Sequence, residues 1–155
     1  MKYIPLLLFF TLIACSSPEP NDNSDNSLAT DMGPEEAAQD SLFKAVMAIH
    51  DEVMPEMDRI YRLRRRATDL ADSLQNQTAV PLPADSLRAI ARRLEEADEA
   101  MMNWMRSNDF QFEDMSHEEI MQELEAEREK IIIVKETMLN SIKEAEATLT
   151  QFDGA

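Results

Sequence analysis

The sequence predicts an all-α protein, an antiparallel three-helix bundle with coiled-coil-like seams and long first and third helices. Apolar residues recur every three or four positions from residue 35 onward, and the chain holds only two glycines. Beyond residue 34, proline occurs only at Pro55, Pro81 and Pro83, the last two marking a break between periodic stretches. With 155 residues, 44% of them hydrophobic and 6% aromatic, there is material for one modest core.

The first helix is expected over 35–75, where Leu42, Val46, Ile49, Val53, Ile60, Leu63, Ala67, Leu70 and Leu74 fall on one face. Pro55 interrupts it by removing an amide donor and crowding the preceding turn, so a kink is expected there. Asp85 is the expected N-cap of the second helix. That helix carries Leu87, Ile90, Leu94, Ala97, Met101 and Trp104 at alternating spacings of three and four, ending near Ser107. Ser116 and Glu119 form a capping-box pair that opens the third helix. Its core positions are Ile120, Leu124, Ile131, Val134, Met138, Ile142, Ala145 and Leu149.

Short loops imply antiparallel neighbours, so the helices are aligned with residue 75 opposite 85 and residue 106 opposite 116. In that register the apolar stripe from Met138 to Phe152 overhangs the first loop. Either the Pro81–Pro83 loop or a second chain is then expected to cover it, the latter making a homodimer.

The amino-terminal end divides into a leader at 1–14, a tether at 15–34 and the helical domain at 35–155. Lys2, the apolar run Ile4 to Ile13 and small Ala14 have the layout of a signal peptide, and the run is too short to span a bilayer. Leu12-Ile13-Ala14-Cys15 resembles the lipobox of bacterial lipoproteins. By that resemblance the Cys15 thiol is diacylated, the leader is removed, and the new amine is acylated in turn. Several acyl chains anchor a protein stably where one does not. The stretch 16–33, rich in Ser, Pro, Asp and Asn, reads as a flexible tether. The expected location is the cell envelope, on the outer or inner membrane, with the domain facing the periplasm or the cell surface.

Formal charge is −16, and without Lys2 the remaining chain has 14 basic against 31 acidic side chains. Such a body is repelled by nucleic acid, whose phosphates need clustered basic residues. Gly33 and Gly154 supply no phosphate-cradling loop. Cys15 is the only cysteine, so intrachain disulfides, thiolate zinc sites and a catalytic thiol are excluded.

Methionine and histidine are concentrated unusually. Met47, His50, Met54 and Met57 form a strip along the first helix, Met101, Met102, Trp104 and Met105 share one turn of the second, and Met115, His117 and Met121 surround the second turn. The assumed register brings His50, Met54, Met57, Met101, Met105, His117 and Met121 to one layer. Thioether and imidazole donors suit Cu(I) or Ag(I), with Trp104 as a lid, so copper is the alternative to a domain without cofactor. The plainer reading is that methionine fills the irregular space left by the Pro55 kink. Covalent haem lacks its C-x-x-C-H motif, and a di-iron site lacks its Glu-x-x-His pair.

Arg59, Arg62, Arg64, Arg65 and Arg66, with Arg92 and Arg93 at a similar level, are expected to pair with Glu125, Glu127 and Glu129, an anionic ligand being the lesser reading. No nucleophile motif stands out, and His50-Asp51-Glu52 reads as a local acidic run, so an enzyme is not expected. The expected role is a non-enzymatic interaction or structural one, with a protein partner or a second copy.

The strings His50-Asp51-Glu52-Val53-Met54-Pro55-Glu56-Met57, Met101-Met102-Asn103-Trp104-Met105 and Met138-Leu139-Asn140-Ser141-Ile142 resemble an uncharacterised family of small bacterial lipoproteins, some labelled viral A-type inclusion proteins. The resemblance covers roughly Leu42 to Ala145. It implies one helical module and no particular activity.

Overall fold

A computed structural model describes residues 32–77, 82–108 and 110–152. Cys15, the leader, nearly all of the tether and Pro81 lie outside the described residues. Residues Gly33–Ala155 form one compact unit. The helices are α1 (Pro34–Val53), α2 (Glu56–Gln77), α3 (Leu82–Ser107) and α4 (His117–Thr150), with no strand among the described residues. The all-α bundle expected from periodicity is what forms, α1 and α2 being the two arms of a bent first helix.

Pro34 opens α1 in the first turn, where its missing N–H is no loss, and Glu35 and Glu36 face the positive end of the helix dipole. Leu42, Val46 and Val53 are buried along one face. The helix ends where proline requires it: the Met54 N–H still donates to the His50 carbonyl at 2.9 Å, and Pro55 has no N–H with which to continue. Two residues later α2 resumes, burying Ile60, Ala67 and Ala71. It lies antiparallel to α3, with Arg88 3.6 Å from Asp72 and Arg64 3.8 Å from Glu95. All six core residues expected of the second helix, Leu87 through Trp104, are buried in α3. The start of α3 differs, since the helix begins at Leu82 and takes Pro83 into its first turn. Asp85 is therefore a first-turn acid facing the helix dipole and not the N-cap.

The capping box of α4 is present, with Ser116 Oγ accepting from the Glu119 N–H and the Ser116 N–H donating to Glu119 Oε2 at 2.8 Å. Ser116→Ala should lower stability by about 1 kcal/mol in urea unfolding, with Ser116→Gly milder. Hydrogen bonds from the Ser116 backbone N–H and hydroxyl hold the Glu119 carboxyl below its ordinary range. A lowered folded pKa means that this contribution is complete above the ordinary carboxylate value and is lost as pH falls through the folded one. The urea midpoints of the wild type and Glu119→Gln should accordingly converge on acidification, and a constant gap down to acid pH would refute the capping role.

The register of α4 is the main departure from expectation. Arg93 pairs with Glu144, not with residue 129, a shift of fifteen residues, or about 22 Å at 1.5 Å per residue. The cause is the nine-residue connection from 108 to 116, which runs on along the bundle before reversing. Phe110 and Asp114 take left-handed backbone conformations there, with φ of 46° and 65°. Phe110 packs edge-on to Phe43 of α1 at 5.0 Å and to Trp104 at 6.2 Å, so the connection is a packed element occupying the place of a third helix beside α1 and α4. Glu127, only 6% exposed, ties it down by accepting from Asn108 Nδ2 at 2.7 Å.

With α4 displaced this way, the stripe expected to overhang does not. Met138, Ile142, Ala145 and Leu149 are buried in the core, and Phe152 packs against it. The homodimer drawn from an uncovered stripe loses its basis. Parallel α1 and α4 are joined by Lys135 Nζ donating to Glu52 Oε1 at 2.6 Å and by Gln39 Nε2 2.9 Å from His117 Nδ1.

Candidate functional site

The bend between α1 and α2 collects the chemically distinctive side chains. His50, in the last turn of α1, is stacked on Trp104 of α3 with ring centroids 5.6 Å apart and planes 30° apart. Because α1 is parallel to α4 and α4 is antiparallel to α3, α1 and α3 run in opposite directions. With 50 beside 104, the next turn of α1 brings Met54 to the level of Met101. Met101 is fully buried, while Met54, Met57 and Met105 are half-buried and packed against the core. Thus the structure places His50, Met54, Met101, Trp104 and Met105 along adjoining turns, with Met57 just beyond the bend.

His117 and Met121 do not belong to this group. His117 meets Gln39, eleven residues before His50 on α1, an axial separation of about 16 Å. Both sit at the start of α4, the part carried away by the long connection. Met121 lies in a separate shallow groove with Gln122, Glu125, Ala126 and Glu129.

The geometry also adds a residue that helical periodicity passes over. Asp51 Oδ1 lies 2.9 Å from His50 Nδ1, although adjacent helical residues ordinarily diverge. A carboxylate only accepts, so Nδ1 carries the hydrogen, and in the neutral imidazole the lone pair then lies on Nε2. The histidine side chain is 15% exposed and that of Asp51 73%, so the carboxylate holds the ring from the solvent side. No spacing rule points to this contact; only the rotamer of Asp51 does. Among the described residues, Trp104 Nε1 is the one buried side-chain nitrogen or oxygen with no hydrogen-bond partner.

The arginines of α2 and α3 form a second chemical region. Tyr61, Arg64, Arg65, Thr68, Arg88 and Arg92 line a groove of about 530 Å³, with the Arg64 guanidinium 6.0 Å from the Tyr61 ring centroid. The carboxylates that meet these cations are not Glu125, Glu127 and Glu129. Arg59 is held by Glu146 at 2.5 Å and Glu56 at 3.2 Å, Arg62 by Asp58, and Arg65 by Asp69 at 3.7 Å. Glu146 and Glu56 push the Arg59 guanidinium further above its ordinary range. The shifted register explains the exchange, since it carries Glu144 and Glu146 to the level that 125–129 were expected to fill. Exposed pairs of this kind are screened by solvent and hold helices in register more than they add stability.

Among the described residues no three His, Cys, Asp or Glu side chains are gathered to hold a metal ion, and no helix is long and apolar enough to cross a membrane. No protein-family model, curated protein or solved structure matches this chain.

Proposed function

We propose that this chain is a lipid-anchored protein of a bacterial envelope whose helical domain has a non-enzymatic structural or interaction role. The observation that carries the reading is the sequence Leu12-Ile13-Ala14-Cys15, with an apolar run before it and a polar stretch after it. The sole cysteine falls where lipidation requires a thiol, and the resemblance to small bacterial lipoproteins supports the same assignment. A bundle faced with paired charges suits a tethered spacer or adaptor.

The interaction part of this reading calls for an apolar outlet on the bundle. Ile133 is 62% exposed and continues, one turn on, the strip formed by Gln122, Ala126 and Glu129 of α4. A protein partner or a second copy would pack along this strip, in place of the buried stripe from Met138 to Leu149. If it is a second copy, sedimentation of residues 33–155 should show dimers that Ile133→Glu abolishes. A strict monomer at high concentration would remove the self-association form.

The anchor itself is tested by growing cells with an alkyne-bearing palmitate analogue and determining the mass of the amino-terminal peptide. A modified peptide beginning at Cys15 is expected. An unmodified cysteine, or a mature chain starting elsewhere, would refute the assignment.

A further inference from the structure

We propose that the bend at Pro55 binds one soft monovalent cation, Cu(I) or Ag(I), through His50 Nε2 and the thioether sulfurs of Met54 and Met101, with the Trp104 ring face beside it. This is independent of the lipid anchor and goes beyond the structural role. Three features of the bend carry it.

The first is the preparation of the histidine. Metal-binding imidazoles are commonly fixed by a carboxylate on the nitrogen opposite the metal, which sets the tautomer and raises ligand basicity. Asp51 stands in that relation to His50, 2.9 Å from Nδ1, and Nε2 is left as the donor.

The second is the tryptophan. Trp104 is 6% exposed, and its indole N–H has no acceptor among the described residues. Burying an unsatisfied donor is costly, and phenylalanine at the same place would avoid that cost. What tryptophan offers in exchange is the best cation-attracting ring face, here set against His50 at 5.6 Å.

The third is the donor set. Met54 follows His50 by one turn, Met101 precedes Trp104 by three residues, and because α1 and α3 run in opposite directions the contact of His50 with Trp104 sets the two methionines at one level. Thioether with imidazole favours Cu(I) and Ag(I) over harder ions. His117 and Met121 are excluded by their place at the far end of α4.

Silver(I) is the suitable probe because it needs no reductant. The full chain carrying Cys15→Ser, purified in detergent so that no thiol competes, is titrated while the emission of Trp104, the only tryptophan, is followed. The methionine methyl resonances are recorded in parallel. One equivalent should quench the emission saturably and shift the Met54 and Met101 methyl signals. His50→Gln should weaken binding by at least about tenfold, and Asp51→Asn by about tenfold, the range seen when a partner of a metal-binding histidine is removed. Met54→Leu and Met101→Leu, close in volume and so sparing the fold, should also weaken it. His117→Gln and Met121→Leu should leave it unchanged. Absence of a saturable response, wild-type affinity in His50→Gln or Met101→Leu, or losses in the His117 and Met121 variants matching those at the bend would overturn the site.

Discussion

Leu94→Ala is expected to lower the free energy of unfolding by about 3 kcal/mol, within the range for deleting a fully buried leucine. Leu94 is 0% exposed on α3, next to Arg93, which reaches Glu144 of α4, and Glu95, which meets Arg64 of α2. It therefore occupies the seam where three helices meet. A cavity there is bounded on every side by elements already held in register, so collapse into it is limited and the cavity penalty adds to the lost transfer energy. Leu139→Ala, at a side chain 39% exposed, should change stability by no more than about 0.5 kcal/mol. Chemical denaturation of residues 33–155 gives both numbers. Equal effects at the two positions would mean that α3 does not form the central seam.

Removing the proposed anchor should have a still larger effect on location. Each acyl chain contributes about 0.8 kcal/mol per buried methylene, so two or three long chains on Cys15, as proposed, would make dissociation from a bilayer negligible. The remainder offers little to replace them, since the chain beyond Cys15 carries 31 acidic against 14 basic side chains and is repelled by anionic lipid. A chain that begins at Ser16, exported behind an unrelated and ordinarily cleaved signal, should move wholly to the soluble fraction. The native chain should partition into detergent. Retention of the shortened chain on membranes would show that the helical domain carries its own membrane or partner affinity and that lipidation is not the anchor.

Much of this fold was legible in the sequence because its signals are local. The spacing from Leu87 to Trp104 marked the buried face of α3, Ser116 with Glu119 marked the start of α4, and Pro55 marked the bend, each through interactions within a turn or two. The helix α3 starts four residues earlier than an N-cap at Asp85 implies, because Pro83, legible as a loop residue, is equally at home in a first turn. The larger error was one of register, and its cause is not local. Nothing in the periodicity of α4 says how far the chain travels before α4 begins; that distance is set by the packing of Phe110 against Phe43 and Trp104. Two phenylalanines in a nominal loop, Phe110 and Phe112, were the available sign that the segment is packed. The same displacement removed His117 and Met121 from the methionine-rich layer and exchanged the carboxylates facing the arginines. The stacking of His50 on Trp104 and the contact with Asp51 depend on rotamers, which no spacing specifies.

The displaced register also decides which residues share the bend, and one covalent measurement reads it. Lys135 Nζ lies 2.6 Å from Glu52 Oε1, with the two side chains 27% and 59% exposed, so a zero-length carbodiimide reagent can reach both and join them as an amide. Had α3 and α4 reversed directly at residues 106 and 116, Lys135 would stand near Asp72, twenty residues and about 30 Å along the first helix from Glu52. Peptide mass spectrometry after brief treatment of residues 33–155 should identify Lys135 joined to Glu52. A dominant product joining Lys135 to Asp72 or Asp69 would contradict the displaced register, and with it the separation of His117 and Met121 from His50 and Trp104.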